Sequence, residues 1–198
     1  MEPFRPTRGG GARAWLAAPE ASLLRSLVGQ VLTLIAPDGA GPTAANWNNV
    51  ADLEAQLDTP APAPQHVLEA APQDPPATPD DPVLARLLPD GYRDDPDAAG
   101  EFRQYTEPGL RNAKQQAALQ MLDSLPDAGG RIQLTSEQAQ AWLKALNDVR
   151  LALGVRLDVT EDFEQDWSKL SRDDPQWAAY EVYAWLGAVQ ESLVQALA

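Results

Sequence analysis

Few residues in this sequence are equipped for chemistry. It has one histidine and no cysteine, which excludes thiolate nucleophiles, thiolate metal sites, disulfides and thiol redox switches within the chain. His66 lies in "APAPQHVLEA" with no acid–base partner of the right kind nearby, and it reads as a solvated loop histidine. The chain has 29 Asp and Glu, so paired carboxylates are expected by chance. Clusters such as Asp94-Asp95-Asp97 and Asp173-Asp174 stand just before helical stretches, where an acid caps free N–H groups and complements the helix dipole. The same clusters are where a divalent cation would sit in a carboxylate-based enzyme, the alternative reading. Gly9-Gly10-Gly11 leads into a strand-like segment, not a helix, and so makes a poor phosphate cradle. HExxH, GxSxG, GxGxxG and the phosphate-loop pattern are all missing. The sequence therefore points to a non-enzyme and asks for no cofactor or metal.

The remaining candidates sit inside the most strongly helical stretch, "AWLKALNDVRLALG" from Ala141 to Gly154. Trp142, Leu146, Val149, Leu153 and Leu157 form its apolar stripe. Asn147 and Arg150 are i, i+3 neighbours on the edge that carries Leu143 and Gly154, and Asp148 points toward the side of Lys144. All three polar residues thus flank the stripe. Near the C-terminus, "WLGAVQESL" places Gln190 and Glu191 beside a Val189/Leu193 seam. If the two helices pack, Arg150 meets Glu191 at the margin of the core. Asn147, Arg150, Gln190 and Glu191 are accordingly the candidate register-setting or partner-binding residues.

The elements around them are punctuated clearly. Phe4–Thr7 and Ala12–Leu16 flank Arg8-Gly9-Gly10-Gly11 and form a β-hairpin, with Pro6 confining the first strand to an edge. A helix follows, with Pro19 in its first turn. Asp81-Pro82 and Asp95-Pro96 open two more, the second running through Phe102 and Tyr105. Pro108-Gly109 separates that helix from another over Leu110 to Leu125 whose face carries Leu110, Ala113 or Lys114, Ala117, Met121 and Leu125. Arg131–Leu134 is a short strand that can join the hairpin. Thr135 and Gln138 have capping-box spacing ahead of the long helix. A short helix lies within 161–174, and Asp174-Pro175 caps the last. Trp142 and Trp185 fall on core stripes; Trp15, Trp47, Trp167 and Trp177 are less committed, and one or two of them are expected at an interface. The expected fold is mainly α, five or six helices with a small N-terminal β-hairpin. Ten of the 18 prolines lie within residues 37–82, so the expectation is a single domain over 1–198 interrupted by a mobile Pro/Ala/Asp-rich loop at about 58–80, with one short helix from Trp47 to Leu57 before it.

The net charge of −14 is unevenly spread. Residues 1–36 hold four Arg against two acids, whereas 37–81 hold eight acids and no Lys or Arg. A globally acidic surface disfavours direct DNA binding, which leaves a DNA-binding regulator using the basic N-terminal region as a second alternative. No apolar run approaches the roughly 20 residues that span a bilayer, and the N-terminus lacks a signal-peptide layout. The expectation is a cytoplasmic protein with a protein partner; spacing says nothing about oligomeric state.

The runs "DPVLARLLPDGYRDDPDAAGEFRQYTEPGLRNAKQQAALQML", "QLTSEQAQAWLKALNDVRLALGVRL" and "YAWLGAVQESLVQAL" resemble an actinobacterial domain family of unknown function, some of whose members are AosR-like oxidative-stress transcriptional regulators. "EASLLRSLVGQVLTLI" also resembles the family's first helix. The resemblance implies a cytoplasmic regulator acting through protein contacts, with a sigma factor or RNA polymerase component as partner. Redox-responsive members use a cysteine pair; this chain has none, so thiol sensing does not carry over.

Overall fold

The computed structural model describes residues 1–36, 79–92 and 95–198. His66, Trp47, Asp94, the expected short helix from Trp47 to Leu57 and nearly all of the expected loop at 58–80 lie outside them. The described residues form strands β1 (Glu2–Pro6), β2 (Ala12–Leu16) and β3 (Gly130–Leu134). They also form six helices: α1 (Ala18–Leu34), α2 (Pro82–Leu87), α3 (Pro96–Ser124), α4 (Ser136–Arg156), α5 (Phe163–Lys169) and α6 (Pro175–Leu197). The fold is mainly α with a small antiparallel sheet, as the spacing of caps and apolar stripes implies.

The sheet has the order β1-β2-β3, with β2 at its centre. The N-terminal hairpin closes through Gly10 at φ 75°, a left-handed conformation that a side chain resists. β3 joins it from far along the chain, pairing Arg13 with Gln133 and Trp15 with Arg131. Gly129, at φ 73°, makes that return turn fit: a Cβ there would lie 2.5 Å from the Ala18 nitrogen. Alternation along the strands turns Phe4, Ala12, Ala14, Leu16, Ile132 and Leu134 inward. The other face carries Arg5, Arg13, Trp15, Arg131 and Gln133 and is exposed.

Helix α4 is the hub, with α1, α2, α3 and α6 packed against it. Its N-terminus is fixed by the expected capping box: the Gln138 amide donates to Thr135 Oγ1 at 3.2 Å, and Gln138 Oε1 accepts from the Thr135 amide at 2.9 Å. Trp142, Leu146, Val149 and Leu153 are all buried on its stripe. Trp142 meets Phe4 edge-on at 5.7 Å and donates from Nε1 to Ser124 Oγ at 2.7 Å, joining sheet, α4 and α3. Asp81, Asp95 and Asp174 cap α2, α3 and α6 as the sequence implies.

The helix boundaries depart from expectation in α3. The expected break at Pro108-Gly109 does not occur, and α3 runs through it as one helix of 29 residues with Pro108 inside. A proline there removes one backbone hydrogen bond and crowds the preceding turn. What holds the helix together lies on its inner face. Glu107 is buried and accepts from Arg111 one turn on, with Oε1 2.7 Å from Nε, while Arg103 approaches Glu107 from the preceding turn at 3.9 Å. Arg103 also pairs with Asp90 in the loop after α2. The chain of charges straddles the proline and ties both halves of α3 to one surface.

Candidate interaction sites

The α4–α6 seam holds the four residues singled out by spacing. α4 presents Arg150 and α6 presents Gln190, and Arg150 Nη1 donates to Gln190 Oε1 at 2.8 Å. The guanidinium also lies over the Tyr183 ring, 5.3 Å from its centroid. Two glycines border the pair, and a Cβ on either would meet it at ordinary contact distance. A Cβ at Gly187 would sit 3.8 Å from Arg150 Nη2, and one at Gly154 would sit 3.4 Å from the Tyr183 ring. The expected Arg150–Glu191 pair is not formed. Glu191 lies one residue, or about 100°, further round α6, is exposed, and accepts from Gln195 Nε2 at 2.9 Å within its own helix. Asn147 is likewise exposed and takes no part in the seam. Arg150 and Gln190 thus meet across the seam, while Asn147 and Glu191 face outward.

Tyr183 continues into an aromatic cluster that spacing only hinted at. Phe163 of α5 packs on Tyr183 at 5.0 Å and on Tyr180 at 5.2 Å, and Trp167 lies 5.9 Å from Trp177. The cluster fastens the short α5 onto α6 and places Trp167 and Trp177 in packing contacts.

Asp148 departs most from its expected position. It is buried, turns toward α3 rather than toward the exposed Lys144, and pairs with Lys114 at 2.6 Å between Oδ1 and Nζ. Burial pushes its carboxyl up from the usual carboxylate range, more than the hydrogen bond and positive charge of Lys114 pull it down. The available signal was Lys114 itself, a charged residue in register with Ala117 and Met121 on the buried face of α3.

Other charges cement helix ends. Arg111 Nη1 donates to the Ile35 carbonyl at 3.0 Å, supplying the C-terminus of α1 with a cation that its own last turn lacks. Asp81 serves two helices: one carboxylate oxygen caps α2, and the other accepts from Arg156 of α4 at 2.7 Å. The carboxylates of Asp81, Asp95 and Asp174 are therefore committed to backbone N–H groups. Among the described residues no three His, Asp or Glu side chains come together as a metal would need. Among those residues, too, no helix is long and apolar enough to cross a membrane.

Among the described residues, exposed large aromatic side chains fall in two places. Tyr92, Phe102 and Tyr105 are exposed around the N-terminal half of α3, where Tyr92 and Phe102 meet edge-on at 5.7 Å. The outer face of the sheet carries Arg5, Arg13 and Arg131 around Trp15.

A model of a domain of unknown function, DUF2017, matches residues 1–197. Two relatives named oxidative stress regulator AosR, from Mycobacterium tuberculosis and Mycobacterium bovis, are each 35% identical over 198 residues, covering 93% of this chain and 81% of theirs. A Mycobacterium leprae relative that shares the AosR name is 40% identical over 132 residues, covering 60% of this chain and 59% of its own. No solved structure matches.

Proposed function

The chain belongs to the DUF2017 family, and on that premise we propose that it is a non-enzymatic regulatory protein of oxidative-stress control that acts through protein–protein contacts. The observation that carries the reading is similarity across nearly the whole chain to relatives named for that regulation. The side chains support a contact mechanism. The buried and half-buried polar groups that invite a catalytic reading are engaged in structural contacts: Asp148 with Lys114 and Arg150 with Gln190 between helices, and Glu107 with Arg111 within α3. Among the described residues, the surface offers exposed aromatics and arginines to other molecules.

The partner fitting this reading is a component of the transcription machinery, a sigma factor or an RNA polymerase subunit, met in the cytoplasm. The chain has no thiol, so oxidant dependence would enter through the partner or another residue type. Affinity purification from the native cytoplasm, with and without oxidant, followed by mass spectrometry tests the proposal. Stoichiometric recovery of such a component supports it. Recovery of the chain alone under both conditions, together with a rise in melting temperature on adding Mg²⁺, Ca²⁺ or Mn²⁺, would replace it with a cation-dependent activity.

A further inference from the structure

Deepening the proposed function and resting on it, we propose that the outer face of the three-stranded sheet is the partner-docking surface, and that it takes an extended acidic protein segment carrying an apolar side chain. The register builds a small grid. Arg5 of β1 lies directly across from Arg13, and Arg13 from Gln133. In the next row Glu2 lies across from Trp15, and Trp15 from Arg131. Trp15 is 46% exposed although it sits on the central strand. Of these residues, Glu2, Arg5, Arg13, Trp15 and Arg131 border an open groove of about 610 Å³.

Nothing in the fold accounts for this arrangement. Like charges directly across a sheet are destabilising, yet Arg5 faces Arg13, and neither has an ion-pair partner among the described residues. Among the described residues Arg131 has none either, and Glu2 is the single acid of those residues that lines the groove. Three arginines around a bare tryptophan are concentrated on a chain whose net charge is −14. Tryptophan and arginine are also the residue types that most often dominate binding energy at protein interfaces.

Chemistry selects the occupant. Guanidinium groups bind carboxylates in bidentate fashion, and the indole offers an apolar anchor. On β2, Arg13 and Trp15 are i, i+2 on the same face, about 7 Å apart. An extended partner strand has the same repeat, so a carboxylate over Arg13 and Arg5 brings an apolar side chain over Trp15, with a further acid near Arg131. Docking is onto the face rather than the β1 edge, where α6 packs, the Phe4 amide already donates to Ser192 Oγ at 3.3 Å and the two prolines offer no amide. A nucleic acid fits less well. Three arginines neutralise about three phosphates, a small electrostatic gain against the repulsion of the acidic remainder.

The test uses the purified full chain and fluorescence anisotropy at about 0.15 M salt. The probe is a short fluorescein-labelled peptide of repeating Glu-Ser-Leu-Ser, which sets Glu and Leu two residues apart on one face of an extended strand; its Gln-Ser-Leu-Ser counterpart and a labelled oligo-dT strand are controls. The expected result is binding of the Glu–Leu peptide, weakened about tenfold or more by Arg13→Glu and by Trp15→Ala. Arg13→Glu should melt no lower than the parent chain, since it places an acid across from Arg5, and this separates lost binding from lost folding. Equal peptide affinity in parent and variants overturns the proposal. So does tighter binding of oligo-dT than of the peptide. A concentration-dependent dimer that Arg13→Glu dissolves would also overturn it, making a second copy the occupant. A native partner recovered equally by the parent and Arg13→Glu chains would overturn this surface while leaving the regulatory reading intact.

Discussion

Replacing Lys114 with methionine isolates the buried pair that joins α3 to α4. Lys114 and Asp148 side chains are 15% and 6% exposed, with 2.6 Å between Nζ and Oδ1. Methionine keeps most of the apolar stem of lysine and deletes the charge. Asp148 is then left as an unpaired carboxylate between two helices, and breaking such a pair typically destabilises by about 3–5 kcal/mol. Asp148 has one escape, taking up a proton. Its folded pKa already lies above the reference value of 3.8 because desolvation outweighs Lys114. Removing Lys114 deletes both influences that lower it, so the folded pKa moves further up. A carboxyl whose pKa is raised on folding binds more protons folded than unfolded between the two values. Its contribution to stability is therefore present below the unfolded pKa and lost as pH rises through the folded one. The deficit of Lys114→Met against the parent should be about 3 kcal/mol at pH 7 and should narrow as pH falls toward 5. For a chain of this size, that corresponds to a melting temperature lower by about 6–12 °C at neutral pH. Urea titrations of both chains at the two pH values measure the difference directly. A double variant, Lys114→Met with Asp148→Leu, should recover most of the loss, since a packed apolar pair replaces a buried ion pair at little cost. A deficit that is unchanged or wider at the lower pH, or a double variant no more stable than the single, would refute this account of how α3 is held.

Arg150→Ala should lower stability by about 1–2 kcal/mol through loss of the Gln190 hydrogen bond and the Tyr183 contact, whereas Glu191→Ala should change it by less than about 0.5 kcal/mol; paired thermal melts compare them. Pro108→Ala should stabilise the chain by about 1–3 kcal/mol, because alanine restores the missing amide at an exposed position inside α3, and denaturant midpoints report the gain. Thr135→Ala removes one half of the capping box on the hub helix and should lower stability by about 1 kcal/mol, with Thr135→Ser recovering most of it in the same assay.

The sequence alone determined what depends on near neighbours in the chain. A carboxylate at Asp81, Asp95 or Asp174 reaches amides two or three residues on, and Thr135 with Gln138 closes its box within one turn, so helix starts are written locally. The Trp142–Leu153 stripe and the alternation along β2 are set by backbone periods of 3.6 and 2, and they identify the core faces correctly. Only the tertiary structure decided which charges meet. Lys114 and Asp148 are 34 residues apart, Arg111 and Ile35 are 76 apart, and Arg150 and Gln190 are 40 apart. Their pairing depends on how helices rotate about their axes and how closely they approach. That rotation decides between Gln190 and Glu191, neighbours in sequence that point about 100° apart. It also explains Pro108: the local rule favours a break, but the Arg103–Glu107–Arg111 charges and their contacts with Asp90 and the end of α1 carry the helix across it. The arginine grid around Trp15 arises in the same way, since it needs β3 to arrive more than a hundred residues after β2 and set Arg131 beside it.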